Sequence, residues 1–296
     1  MAQPNQEVSG TTARPKARNP WVEAWKGLKR NGMAMIGLVV LSIFILGAIF
    51  AEVIAPYDFT TQNLDAILQP PNSTHIMGTD GFGRDLFSRI LYGSRISLMV
   101  GLIAVSFSVV TGGTIGAVAG YFRGRIDNVL MRFMDILLAI PSILSAIAIV
   151  NILGTSLTNV MIAVGISSIP TYARVVRAAV LSIRDREFIE AAHAIGDSTV
   201  SIILRNILPN CMAPIIVQST LGVAGAILSA AGLSFLGLGL QPPSPEWGAM
   251  LSDGRQYIYS ATWTTIFPGL AIVMVVLSLN LLGDGLRDAL DPKLKK

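Results

Sequence analysis

The sequence is poor in reactive chemistry. It holds one cysteine, Cys211, which excludes an intrachain disulfide and a cysteine-based metal cluster. Its two histidines, His75 and His193, lie far apart in sequence, not at the helical spacing of a metal-binding pair. Charged residues make up only 14% of the chain, against roughly 25% in an ordinary soluble domain. No Gly-Lys-Ser/Thr triplet is present, so the chain carries no Walker-type nucleotide loop, and no nucleophile elbow or zinc-protease pattern occurs. What the chain has in abundance is apolar surface: 52% of its 296 residues are hydrophobic. The mean hydropathy is +0.61. A soluble domain cannot hide that much apolar surface behind a polar shell, so the composition points to a membrane protein.

A bilayer core is crossed by about 20 apolar residues in helical form. Six segments qualify: 33–55, 97–120, 129–152, 157–180, 211–237 and 263–283. The fourth is interrupted by Pro170 and carries Arg174 and Arg177 near its end. The first reads as a membrane helix and not as a cleaved leader, since its apolar run is long and no small-x-small pattern follows Glu52. Six crossings put both termini on one side. That side carries 18 of the 22 Lys and Arg residues, leaving Arg84, Arg89, Arg95 and Arg255 on the other. The positive-inside rule then places both termini in the cytoplasm.

Residues up to Asn19 are polar and expected to be disordered. Trp21, Trp25 and Leu28 follow, interleaved with Lys26, Lys29 and Arg30. That spacing suits a short helix lying in the membrane surface, or a helical extension of the first span. The spans themselves are nearly free of charge. Arg132 and Asp135 sit three apart and are expected to pair with each other. No relay of buried acids or histidines is visible, which argues against a proton- or sodium-driven carrier. Gly112, Gly116 and Gly120 recur every fourth residue, and Gly222, Gly225, Ser229 and Gly232 form a similar set; small residues let helix backbones approach closely in lipid. Asn151, Gln218 and Asn280 suit either a polar pathway or interhelical hydrogen bonds.

The most informative connection is 181–210. Glu187, Ile189, Glu190, Ala191, Ala192 and Ala194 favour a helix, and Gly196 is placed to stop it. Asp197 or Ser198 can cap a second helix, which Pro209 ends before the fifth span. Phe188, Ile189, Ala192 and Ile195 give the first helix an apolar stripe that must meet a partner or the membrane bundle. His193 is expected to be a surface histidine contacting a partner. The stretch Gly78-Thr-Asp-Gly-Phe-Gly-Arg84 lacks the ending of a phosphate loop and reads as a turn-rich docking or plug segment.

Glu190-Ala-Ala, three residues, Gly196 and then Ile207-Leu-Pro209 resembles the EAA loop of permease subunits of bacterial ABC importers. Asn206 stands where that pattern has isoleucine, while Leu208 and Pro209 keep register. Three further stretches, 75–89, 241–251 and 280–293, resemble the C-type permease of dipeptide and oligopeptide importers, and the likeness covers about 21–293.

That resemblance implies an all-α polytopic membrane protein with the type I ABC importer permease fold. It divides the chain into a tail with an interfacial helix (1–32), a first span with its extracytoplasmic segment (33–96), a permease core (97–283) and a cytoplasmic tail (284–296). It implies a non-catalytic subunit of the bacterial inner membrane, without cofactor or metal, that carries short peptides by alternating access. Its expected partners are a second related permease, two ATPase subunits, an extracytoplasmic binding protein facing 57–95 and 241–262, and membrane lipid, with no nucleic acid. The ATPase-coupling residues it implies are Glu187, Glu190, Ala191, Ala192, Gly196, Leu208 and Pro209. Glutathione, D-amino-acid dipeptides, oligopeptides and nickel are rival cargoes, and an autonomous channel or membrane enzyme is the reading from another class.

Overall fold

A computed structural model describes residues 20–290; the expected disordered tail and the last basic residues lie outside that range. The first helix, α1 (Pro20–Arg30), leads into α2 (Gly32–Ile49) across Asn31, whose side chain accepts the Ala34 N–H at 3.1 Å and so caps α2. A folded segment then runs to α3 (Leu86–Phe122), capped by Asp85 on the Ser88 N–H at 2.8 Å. After α3 come α4 (Gly124–Leu138), α5 (Ser142–Leu153), α6 (Leu157–Ile183) and α7 (Glu187–Ala194). The chain ends with α8 (Met212–Phe235), α9 (Trp247–Gly254) and α10 (Trp263–Leu290). Among the described residues there is no strand, only an isolated bridge between Thr79 and Asp85.

Five runs are long and apolar enough to cross a bilayer: α2, α3, α6, the continuous helical run 199–235 and α10. The sixth crossing is a bent pair. α4 and α5 meet at 86°, where a single span over 129–152 was expected. Pro141, which has no N–H to offer, stands at the break. The expected pairing inside this span is also corrected: Asp135 takes Arg174 of α6 at 2.6 Å, and Arg132 is exposed. Asp127 receives a two-pronged bond from Arg177 at 2.5 and 2.6 Å. α4 is thus tied to α6 by its acids, while Ile126, Val129, Phe133 and Ile136 face outward.

The α3–α6 pair is the spine of the bundle. A Cβ on Gly112 would lie 2.5 Å from the Ile169 carbonyl oxygen, one on Gly116 would overlap the Ala173 carbonyl, and one on Gly120 would lie 2.9 Å from Val180 Cβ. The Ser108 hydroxyl adds a bond across the same seam, to the Gly165 carbonyl at 2.8 Å. In lipid, where burial supplies little drive, this backbone approach is what holds two helices together. The second glycine set behaves differently. Gly222 is pressed on the Tyr172 hydroxyl, but Gly225 has nothing of this chain within 4 Å and Gly232 only Ile143 at 3.8 Å.

Both ends of the described chain meet on one face. A Cβ on Gly27 would lie 3.0 Å from that of Ala289, and Leu28 packs on Gly285. Ala24 and Leu28 are buried while Trp25, Lys26, Lys29 and Arg30 are exposed, so α1 is amphipathic and set apart from α2 by Asn31. α7 shares this terminal face. The opposite, loop face carries residues 55–85 and α9.

Candidate coupling site

α7 packs against the end of the α3–α6 pair. Its Ile189 and Ala192 are buried among Ala117, Val176, Val180, Ile183, Ile202 and Ile207. Its other face is open: Glu187, Glu190 and Ala191 are exposed. The expected apolar stripe is therefore split, with Ile189 and Ala192 inward and Phe188 and Ile195 outward, Ile195 at 80% exposure. Val200 and Leu204 continue the outward apolar surface beyond the bend.

The bend has a specific cause. Gly196 stands at φ +84°, where an L side chain would be strained. Its N–H bonds the His193 carbonyl at 3.0 Å and the Asp197 N–H bonds the Ala192 carbonyl at 3.1 Å, the paired closure of a Schellman helix end. Ser198, not Asp197, then caps the next turn through the Ser201 N–H. That turn does not end at Pro209. A wider-wound stretch at Ile202–Ile207 and a tighter one at Leu208–Cys211 carry it into α8 without a break. Leu208 packs on the cluster under α7, and Pro209 is exposed. The seven residues expected to act in coupling thus fall into an outward group (Glu187, Glu190, Ala191, Pro209), an inward group (Ala192, Leu208) and the bend at Gly196.

Four further residues tie the end of α3 to α7 and to the turn before it. The Tyr121 hydroxyl meets His193 Nε2 at 3.2 Å. Arg184 donates to the Tyr121 carbonyl at 2.5 Å and to Asp185 at 2.8 Å. Arg123 donates to the other Asp185 oxygen at 2.6 Å. The hydrogen bond from Arg184, with Arg123 beside it, holds the Asp185 carboxyl below its ordinary range. Sequence reading gave these four no role, because Tyr121 and His193 are 72 residues apart and nothing in a single sequence joins them. His193 is thus a surface histidine, exposed and bonded to Tyr121 of its own chain.

Two grooves flank α8. One, of about 880 Å³, is apolar and runs between α2, α3, α8 and α10 past Leu102 and Val223. The other, of about 600 Å³, opens toward the terminal face and is lined by Arg186, Asn210, Gln218 and Arg287. Gln218 therefore faces a groove of mixed lining, which also holds Val175, Phe188 and Leu221, whereas the Asn151 side-chain N–H donates to the Ile147 carbonyl of its own helix. No group of three or more possible metal ligands occurs among the described residues.

Residues 112–296 match the model of the binding-protein-dependent transport system inner membrane component, and residues 19–71 match the N-terminal membrane domain of oligopeptide transport permease C. The chain belongs to this permease family. The dipeptide transport system permease protein of Alkalihalophilus pseudofirmus is 54% identical over 94% of this chain and 92% of its own. The di/tripeptide permease of Pseudomonas aeruginosa is 47% identical over 94% and 93%. The glutathione transport system permease of Escherichia coli O157:H7 is 48% identical over 95% and 93%. The fold is that of the methionine ABC transporter MetNI, solved facing inward: TM-score 0.57 at 20% identity, over 69% of this chain and 96% of that one. The permease is a membrane-spanning, non-catalytic subunit of an ABC importer, and as such works with further subunits.

Proposed function

We propose that this permease carries short peptides, dipeptides above all, across the bacterial inner membrane, and that α7 is the surface its ATPase partners grip. The observation that carries the coupling reading is the division of α7. One face is buried against the α3–α6 spine and the other offers Glu187, Glu190 and Ala191 beside exposed Phe188 and Ile195. A partner that holds the open face moves the buried one, and with it two of the longest helices. Packed bundles of this kind switch between discrete arrangements, so a small displacement at α7 can select inward- or outward-open packing. Glu187 and Glu190 offer polar contacts, Ala191 allows close approach, and Gly196 sets the angle.

The orientation follows the charge count, with both termini and α7 in the cytoplasm and residues 55–85 and α9 outside. ATP is hydrolysed by two separate subunits. A second, related permease completes the path, and an extracytoplasmic binding protein delivers cargo to the loop face. The peptide reading is supported by the names of the relatives, two of them dipeptide or di/tripeptide permeases. The glutathione relative keeps a modified tripeptide as the second reading.

The test is uptake by the reconstituted complex with its own binding protein, offered dialanine, glutathione and nickel in turn. ATP-dependent accumulation of dialanine supports the reading, and accumulation of glutathione or nickel alone replaces it. Gly196→Trp in the same vesicles should leave insertion intact and abolish ATP-driven uptake.

A further inference from the structure

On the loop face, residues 80–89, α9 and the start of α10 enclose a cavity of about 130 Å³ lined by Asp80, Arg84, Arg89, Asp253 and Tyr257. Its two arginines are among the most deeply buried side chains of the protein, Arg84 at 2% and Arg89 at 1% exposure. Burying a guanidinium is costly unless its donors are met by acceptors. Here they are met only in part. Asp80 serves both: its Oδ2 takes Arg84 Nε at 2.7 Å and lies 3.5 Å from Arg89 Nε. Its Oδ1 is already committed to the backbone N–H groups of Phe82 and Arg84. Arg89 Nη1 donates to the carbonyls of Phe59 and Pro243, each at 3.2 Å. Arg84 Nη2 and Arg89 Nε are left without a hydrogen-bond acceptor. Asp253, on α9, stands 4.0 Å from Arg84 Nη2 with its side chain more than a third exposed. Burial pushes its carboxyl up, while Arg84 and Arg89 pull the other way.

Two buried cations that line one cavity therefore share one close carboxylate, and two of their donors, covered in this arrangement, have no acceptor. We propose that this cavity is a carboxylate subsite, in which an incoming carboxylate supplies the acceptors that Arg84 Nη2 and Arg89 Nε lack and displaces Asp253 toward solvent. The volume admits a carboxylate with one or two carbons behind it, so the rest of the molecule stays outside the lip. Two sources share this chemistry: the terminal carboxylate of a small peptide, and an acidic side chain of a protein that docks on this face.

The test uses the full-length chain in detergent, with thermal unfolding followed by tryptophan fluorescence. Sodium acetate is titrated against acetamide, with ionic strength held by sodium chloride. Acetate should raise the unfolding midpoint saturably and acetamide should not. Asp253→Asn removes the competing internal anion and, at a side chain more than a third exposed, should leave the fold intact; acetate should then bind about threefold tighter or better. Arg84→Gln should abolish the effect. No saturable acetate response in wild type and Asp253→Asn, equal responses to acetate and acetamide, or weaker binding in Asp253→Asn would overturn the proposal. Dialanine, compared with its C-terminal amide, separates the sources, both consistent with the subsite. Dialanine tighter than both acetate and its own amide assigns the subsite to a peptide terminus; dialanine no tighter than acetate excludes that source and leaves an acidic side chain.

Discussion

Tyr121 holds His193: the hydroxyl that ends the longest helix meets the imidazole Nε2 at 3.2 Å, and the rings stack at 6.2 Å. This contact joins α3 to α7 directly and does not pass through the α6–α7 turn. Removing one exposed hydrogen bond of this kind costs about 0.5–1.5 kcal/mol. Tyr121→Phe should therefore leave assembly unchanged and reduce uptake per ATP hydrolysed by about threefold, measured in proteoliposomes. Unchanged coupling would show that Tyr121 only packs.

The seam between α3 and α6 depends on having no side chain at Gly116, where a Cβ would overlap the Ala173 carbonyl. Gly116→Ala should destabilise the chain by about 1–3 kcal/mol, the usual cost of overpacking. Gly113→Ala is the control, because its Cβ would find its nearest neighbour at 3.9 Å. Thermal midpoints in detergent should fall for the first and hold for the second.

Asp127 and Arg177 are joined by two bonds of 2.5 and 2.6 Å, Asp127 being mostly buried and Arg177 about a third exposed. Asp127→Asn, Arg177→Gln and the double variant should give a coupling energy of about 1–3 kcal/mol in a denaturation cycle, the range for hydrogen bonds to charged groups. Additive single effects would mean that α4 is held by its apolar contacts alone.

Glu246 caps α9 by accepting the N–H groups of Gly248 and Ala249 at 3.0 and 2.9 Å. Burial nonetheless pushes its carboxyl above the ordinary 4.5, with those two bonds pulling the other way. A carboxyl raised on folding contributes stability that is full below its unfolded value and is lost as pH rises through the folded one. Between pH 5 and 8 the thermal midpoint of Glu246→Gln should accordingly fall less with rising pH than that of the wild type. Parallel curves would show that Glu246 ionises as it does in the unfolded chain.

Much of the architecture was legible because it rests on local rules. The Gly112, Gly116 and Gly120 spacing named the tightest seam, and Gly196 named the bend of α7. The break within the third crossing was not legible, because a hydropathy window counts apolar residues and is blind to a dihedral break at Pro141. Arg132 and Asp135 were expected to pair on helical spacing alone, and Asp135 instead met Arg174 from a helix that the sequence could not place beside it. Asp197 and Ser198 both suited a cap, and only the backbone geometry selected Ser198. For Arg84 and Arg89 the sequence shows only that they lie on the side opposite the termini. They are buried because the loop 55–85 folds back over the start of α3, a long-range event without a local signature.

The central claim is that an ATPase subunit grips the open face of α7. A photo-cross-linking side chain at position 195, where Ile195 points outward beside the bend, tests it most directly in native membranes. The account predicts an adduct with the ATPase subunit, lost when Gly196 is also replaced by tryptophan. An adduct with the extracytoplasmic binding protein, or with lipid alone, would contradict it.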